Sequence, residues 1–359
     1  MKLTRRLAIA GTGAAFRLAA LARRRLGVDR TVYVGQRVSE YHRYWEEGAH
    51  RIGATFEQLR EGVWEVSRNG VRTRIRNYIT KLDPRPIRWK AGDKLHCYRL
   101  ATECGLPVPP HVVLTLDTMD HGRGFLASHP GPFVVKPAYG SSSGLGVTTG
   151  VRTWGQFFRA AVRAARYHER FLLETMVPGE SWRLLVLDDR AIHAVRRRGV
   201  RVLGDGRSSI AELRRALPGP AAAEDWIVAW TLAGQGLSST DVPPAGQEVL
   251  VRSLPAGERR TSELRTAYTE SVTHLVGDDV ARRCVAVTRR LGSQFAGIDL
   301  IANDLRRPLG ETGGIFLEIN TTPGIHHHYL GSEDHRDPVA AKVLTFLLED
   351  PRANQQGSR

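Results

Sequence analysis

Three polar side chains stand where strands are expected near the C-terminal end of the chain. They are Asp299 in the run Gly-Ile-Asp-Leu-Ile, and Glu318 and Asn320 in Phe-Leu-Glu-Ile-Asn. Side chains alternate along a strand, so Glu318 and Asn320 share one face while Leu317 and Ile319 take the other. Hairpin pairing of the two strands brings Asp299 beside them. Two carboxylates and an amide oxygen form a hard oxygen set suited to Mg²⁺, an ion that commonly bridges protein carboxylates and nucleotide phosphates. Taken alone, the same residues also describe the ordinary polar face of an antiparallel sheet.

A second candidate lies upstream, in Lys136-Pro-Ala-Tyr-Gly-Ser-Ser-Ser-Gly-Leu-Gly-Val147, which follows the apolar run Phe133-Val134-Val135. Glycines at 140, 144 and 146 permit positive φ, so backbone amides and serine hydroxyls are free to converge on an oxyanion, with Lys136 adding a point charge. The spacing fits neither a P-loop nor a dinucleotide fingerprint. A plain hairpin connection explains the glycines and serines equally well.

These groups need elements to hold them. The pattern predicts a short strand at Thr31–Val34 and a helix from Ser39 to Leu59 that buries Tyr41, Tyr44, Trp45, Ile52 and Phe56. A hairpin follows, Val63–Val66 and Val71–Ile75, joined by an Arg68-Asn69-Gly70 turn. Beyond the loop Asp83–Pro86, Asp93 caps a helix through Tyr98, Leu100 and Ala101 that Gly105 stops. Strands are expected at 112–114, 133–136, 171–174, 182–187, 191–195, 248–252, 297–302 and 315–320. Helices are expected at 154–167, 278–291 and 338–348. Another helix begins at Ser209, with Glu212 three residues later as a capping box. Residues 218–246 read as loops around a helical piece, and no internal repeat is evident.

The 359 residues suffice for two or three compact units, and 42% of them are apolar. A formal charge of +15 attracts nucleotides, acidic peptides, nucleic acid or anionic lipid without choosing among them. Cys97, Cys104 and Cys284 match neither a zinc site nor a disulfide framework, which points to reduced thiols in a cytosol. Thr4-Arg5-Arg6 and the weakly apolar stretch after it imitate a secretory signal, but Arg17 and the Arg23-Arg24-Arg25 block interrupt that reading. As a helix, Leu3, Leu7, Ala10, Ala14, Leu18 and Leu21 form one stripe with the arginines largely off it. The segment then packs on the body, lies on an anionic membrane or stays partly disordered.

The ordered series Asp93-Lys94, Val135-Lys136-Pro137 with its Gly/Ser loop, Leu173-Glu174 with Pro178-Gly179, Gly297-Ile298-Asp299, and Glu318-Ile319-Asn320-Thr321-Thr322-Pro323-Gly324 resembles the ATP-grasp superfamily. The resemblance runs from about 93 to 330. Within that superfamily, residues 204–213 and 241–252 look like the amide-ligase module of cyanophycin synthetase and bifunctional glutathione synthetases. It implies an α+β ATP-grasp fold in which a lid and a C-terminal mixed sheet clasp ATP. The corresponding division is a basic amphipathic segment at 1–30, a small α/β domain at 31–92, the lid region at 93–177, the C-terminal domain at 178–349 and a polar tail at 350–359.

The same resemblance implies roles. Lys94 and Lys136 hold the nucleotide phosphates, and the loop of Gly140, Ser141, Ser142, Ser143, Gly144 and Gly146 closes over the β- and γ-phosphates. Glu174 and the backbone through Val177 meet adenine, with Glu180 or Ser181 at the ribose. Asp299, Glu318 and Asn320 carry two Mg²⁺ ions, which Mn²⁺ is able to replace. Arg183, Arg196 and Arg252 are candidates for the transferred phosphate or a substrate carboxylate, which a guanidinium grips in bidentate fashion. A solvated cationic face accounts for Arg196-Arg197-Arg198 nearly as well. Gly297 stands where D-alanine:D-alanine ligases carry an arginine, which favours the cyanophycin and glutathione type. The run His326-His327-His328 lacks the HExxH zinc spacing and is read as lining the acceptor pocket.

The implied activity is phosphorylation of a carboxylate by ATP, then attack of an amine on the acylphosphate to form an amide, ADP and phosphate. One alternative is a ligase of the same fold that tailors peptides or proteins with amino acids. Another, of a different class, is a non-enzymatic nucleic-acid-binding protein, although no interleaved aromatic and basic RNA motif is present. Expected partners are ATP and a small carboxylate and amine, or an acidic peptide, with no specific nucleic acid. Weak contact of residues 1–28 with an anionic membrane and a homo-oligomer are compatible with this reading, as is a cytoplasmic location with attachment at the inner membrane face.

Overall fold

The computed structural model describes residues 30–82, 84–140, 146–197, 199–217, 225–233, 235–252, 269–329 and 338–354. The chain is α+β, and the described residues form four sheets. Residues 31–34, expected as a strand, instead open a helix, Arg30–Arg51. Tyr41, Tyr44, Trp45 and Ala49 recur at helical spacing and are buried, and that long apolar stripe outweighs a four-residue run of strand-favouring residues. The helix also ends earlier than its pattern suggested. Gly53, at φ 67°, turns the chain, and Phe56 falls in the first strand, β1 (Thr55–Arg60).

β1 pairs with β2 (Val63–Arg68), and β2 with β3 (Val71–Arg76), all antiparallel. Asn69 and Gly70 both take positive φ, 51° and 80°, as a two-residue type I′ hairpin requires. A second sheet, in the order β4-β7-β5-β6, contains His111–Leu114, Phe171–Thr175, Phe133–Pro137 and Thr148–Val151. Helix Trp154–Ala165 packs on it through Phe157, Ala161 and Ala164, and starts from a Thr153/Gln156 capping box.

The remaining strands are β8 (Glu180–Leu187), β9 (Arg190–Arg197), β10 (Val200–Leu203), β11 (Glu248–Arg252), β12 (Thr269–Ser271), β13 (Phe295–Ala302) and β14 (Ile315–Thr321). β10 and β11 form a two-stranded ribbon beside helices Ile210–Arg215 and Asp225–Ala233. The others form an antiparallel sheet in the order β12-β9-β8-β13-β14. One face of this sheet buries Trp182, Leu184, Ile298, Leu300 and Ile319 with helices Lys94–Glu103 and Asp278–Leu291.

The opposite face is divided. At one end Leu185, Leu187 and Phe295 join Trp45, Trp64, Ile75 and Leu344 in a core shared with the N-terminal unit and the closing helix Val339–Glu349. The Tyr44 ring stacks on Tyr329, with centroids 4.0 Å apart, and the Tyr41 hydroxyl lies 2.6 Å from His326 Nδ1. The other end of the face is left for polar groups. Among the described residues no helix is long and apolar enough to cross a membrane. The amphipathic segment at 1–28 lies outside the described residues.

Candidate active site

Asp299 on β13 stands opposite Glu318 on β14 on one side and Arg183 on β8 on the other. Directly opposed residues in an antiparallel sheet point to the same face. The register therefore assembles a row of charge, and Asn320 bridges it: its Nδ2 lies 3.1 Å from Glu318 Oε1 and 3.3 Å from Asp299 Oδ2. Immediately after Asp299 the pairing slips, so that Leu300 faces Phe316 and Leu317 is an extra residue. This bulge overturns the simple alternation expected for the strand. Leu317 lines the same cavity as Glu318 instead of the opposite face, since a bulge re-aims side chains beside it.

Asp299 is 3% exposed. Arg183 grips it with Nε and Nη2 at 2.6 and 2.7 Å, and Arg197 Nη2 is 3.1 Å from Oδ1. Burial pushes this carboxyl up, but the two guanidinium groups more than offset that and hold it well below the usual carboxylate range. Gly297 leaves the room Arg183 uses: a Cβ there would sit 3.5 Å from Arg183 Cδ and 3.2 Å from Pro323 Cβ. The arginine therefore reaches the aspartate from the neighbouring strand, over Gly297.

A cavity of about 310 Å³ lies between the two larger sheets. Lys94 and Lys136 line it together with Glu174, Glu180, Ser181, Asp299 and Glu318. Its apolar walls include Val134, Met176, Val177, Leu250, Ile301 and Leu317. Lys136 is buried, with Nζ 2.9 Å from Glu174 Oε2 and 2.7 Å from the Tyr98 hydroxyl. Tyr98 in turn donates to Glu174 Oε1 at 2.8 Å. Burial first, and then the Glu174 carboxylate, raises Tyr98 well above its ordinary value, so it remains a protonated donor. Lys94 opens the helix capped by Asp93. Burial lowers its pKa, Glu318 opposes the shift and Lys136 adds to it.

The start of the Gly/Ser loop is tied to this helix. Lys94 N donates to Ala138 O at 3.0 Å and Gly140 N to Gly92 O at 3.1 Å. Gly140 and Gly146 have φ of 68° and 75°, a left-handed conformation that glycine adopts without a Cβ clash. Ser141, Ser142, Ser143 and Gly144 lie outside the described residues.

The structure thus brings Lys94, Lys136, Glu174, Val177, Glu180, Ser181, Asp299 and Glu318 around one cavity. Arg183 lies beneath Asp299, bound to it. Arg196 pairs with Glu180 at 3.2 Å and sits over the Trp182 ring at 5.4 Å. Arg252 ends β11 opposite Val200, in the separate ribbon. Residue-by-residue reading passed over Arg197 and Tyr98. Arg197 sat inside a triplet that resembles a solvated face, yet strand parity puts it with His193 and Val195 on the site side. Tyr98 carried only the helical spacing of a core residue. Among the described residues no group of three or more His, Cys, Asp or Glu is arranged to hold a metal.

No protein-family model matches the chain. Cyanophycin synthetase from Trichormus variabilis is 28% identical over 286 residues, covering 75% of this chain and 30% of that protein. The glutathione biosynthesis bifunctional protein GshAB from Streptococcus thermophilus is 24% identical over 312 residues, covering 81% of this chain and 39% of that protein. The chain spans roughly a third of the length of these curated relatives. Among solved structures, a bifunctional glutathione synthetase from Pasteurella multocida superposes with a TM-score of 0.56 at 22% identity, over 86% of this chain and 43% of that one.

Proposed function

We propose, from the likeness to cyanophycin synthetase and GshAB, that the chain is an ATP-grasp enzyme, an ATP-dependent carboxylate–amine ligase working through an acylphosphate. The observation that carries this reading is the cavity in which Lys94 and Lys136 face Asp299 and Glu318. Lysines there suit phosphate oxygens, and the carboxylate row suits a divalent cation. The donor chemistry fits Mg²⁺ on the structure's own terms. The set is oxygen-rich, and the Glu318 carboxylate lines the cavity beside Asp299. Asp299, Glu318 and Asn320 would hold the ion, which when bound would neutralise charge on the transferred phosphoryl group.

The chain's own residues supply the rest. The apolar walls at Val134, Met176, Val177 and Leu317 suit a purine, and Glu174 to Val177 would meet its edge. Glu180 or Ser181, both on the cavity wall, would meet the ribose. Lys94 and Lys136 would fix the phosphates. Arg197, which lines the cavity beside Asp299, would meet the substrate carboxylate. Substrates of this class are a small carboxylate and an amine, or an acidic peptide that the positive field of the chain would attract.

The test measures ADP release against pooled carboxylates and amines, with mass spectrometry of any amide. Release is expected only when both pools are present, and Glu318→Gln should lower it on the order of 100-fold or more while the far-UV spectrum is unchanged. Undiminished turnover in folded Glu318→Gln would sink the assignment.

A further inference from the structure

The cavity has a third wall, supplied by a part of the chain with a core of its own. In the β10–β11 ribbon, Val202, Val249 and Val251 pack with Ile210, Val228 and Leu232. Neighbouring side chains alternate along a strand, so Arg201 and Leu250 take the opposite face. The register sets the two directly across from each other, and both line the cavity that holds Lys94, Lys136, Asp299 and Glu318. From a separately packed segment the site thus receives one cationic and one aliphatic side chain.

Both are positioned by groups behind them. Gln235 brackets Leu250 through its backbone, donating from Nε2 to Leu250 O at 2.7 Å and accepting from Leu250 N at 3.3 Å. Arg201 Nη1 lies 3.2 Å from Glu248 Oε2. Its Nε is covered, while Nη2 stays open to solvent and has no partner among the described residues. The side chain is 35% exposed, so a molecule in the cavity is able to touch it.

Charge matching inside the cavity sets Arg201 apart. Among the described residues four cationic side chains line it, and three of them answer to carboxylates that line it too. Lys136 pairs with Glu174 at 2.9 Å and Arg197 with Asp299 at 3.1 Å. Glu318 is the carboxylate that acts most strongly on Lys94. The partner of Arg201, Glu248, stands outside the lining with its side chain 49% exposed, where water screens the pair. With the phosphates given to the lysines and the reacting carboxylate to Arg197, the charge of Arg201 is left for a second anionic group.

We propose that Arg201 binds a second carboxylate of the acyl donor, which makes that donor a dicarboxylate. The proposal rests on the ligase reading and narrows it. A guanidinium holds a carboxylate by charge-assisted hydrogen bonds, and Nη2 is the donor at hand. Leu250, with its β-carbon about 5 Å away across the ribbon, offers an apolar surface to the methylenes that separate the two carboxylates. Donors of this class are aspartate and glutamate, free or ending a short peptide.

Hydroxylamine replaces the amine in the test, since it traps an acylphosphate as a hydroxamate. Wild type, Arg201→Met and Arg201→Lys would receive ATP, Mg²⁺ and hydroxylamine with one donor at a time. The donors are aspartate and glutamate against the matched monoacids 2-aminobutyrate and norvaline, each free and as the C-terminal residue of an N-acetylated dipeptide. Hydroxamate would be read by its iron(III) colour and ADP by a coupled assay. Wild-type kcat/KM should favour each dicarboxylate over its matched monoacid by at least about tenfold. Arg201→Met should erase that preference through the KM for the dicarboxylate, and Arg201→Lys should keep part of it. A wild type that uses the monoacids equally well overturns the proposal and leaves the ligase reading standing. So does a KM for ATP that rises in place of the donor's in Arg201→Met, or an equal fall for every donor, as a structural defect would cause. If no donor yields hydroxamate or ADP with wild type, the ligase reading itself fails and the proposal with it.

Discussion

Arg183 and Asp299 stand directly opposite each other on β8 and β13, joined by two hydrogen bonds of 2.6 and 2.7 Å. Because the folded state holds Asp299 below its usual 3.8, this carboxylate contributes stability that is fully present above the unfolded value and is lost as pH falls below it. Asp299→Asn leaves Arg183 and Arg197 buried without their counter-charge. We expect a loss of about 3–5 kcal/mol at neutral pH, shrinking as the pH drops below about 4. Urea denaturation of parent and variant across that range checks the sign, and a deficit that grows toward acid would contradict it.

Lys136 and Glu174 form a buried pair whose third member is Tyr98. Lys136→Met strands a carboxylate and Glu174→Gln strands an ammonium, so each single change should cost about 3–5 kcal/mol. The double variant should be more stable than the sum of the two losses by at least about 1 kcal/mol. A double-mutant cycle by denaturation tests this, and strict additivity would show that the pair is not coupled.

Gly297→Ala places a methyl 3.2 Å from Pro323 Cβ, backed by Arg183. Pro323 cannot swing away as a flexible side chain would, so we expect a loss of about 1–3 kcal/mol from overpacking. The comparison is Gly70→Ser, at a hairpin position where a Cβ meets nothing within 4 Å and only backbone strain at φ 80° is felt. If thermal denaturation shows Gly297→Ala to be neutral, the close approach carries no cost.

The cysteines give a simple count. Burial pushes the Cys97 and Cys284 thiols up to about 12, whereas Cys104 is only partly buried. A thiol-reactive dye should therefore modify Cys104 first in the native protein, with the other two following only on unfolding. Rapid modification of all three without denaturant would show that the core around Cys97 and Cys284 opens.

Much of the arrangement was legible where it depends on local pattern. The Asn69-Gly70 turn, the Asp93 cap, the capping box at Ser209 and the strands carrying Asp299 and Glu318 all follow from period and end signals. What escaped is what depends on distant segments. Tyr98 meets Lys136 across 38 residues of chain, and Arg183 meets Asp299 across 116. Neither tyrosine in a helical stripe nor arginine in a strand declares such a partner. Leu317 was assigned to the wrong face because alternation assumes an unbroken ladder, and the bulge after Asp299 breaks it. The leading helix absorbed Thr31–Val34 because β-propensity over four residues is weaker than the helix it adjoins.

The contacts of Tyr41 with His326 and of Tyr44 with Tyr329 bear on how this protein can be recombined. The turn holding the histidines has its outer wall built from a helix almost three hundred positions earlier. A chimera that keeps the sheet of Asp299 and Glu318 but borrows its leading helix from a relative inherits a wall shaped for someone else's turn. Successful grafts should be those that move residues 30–82 and 325–354 as a single unit, with the sheet of Asp299 and Glu318 as the part exchanged between them.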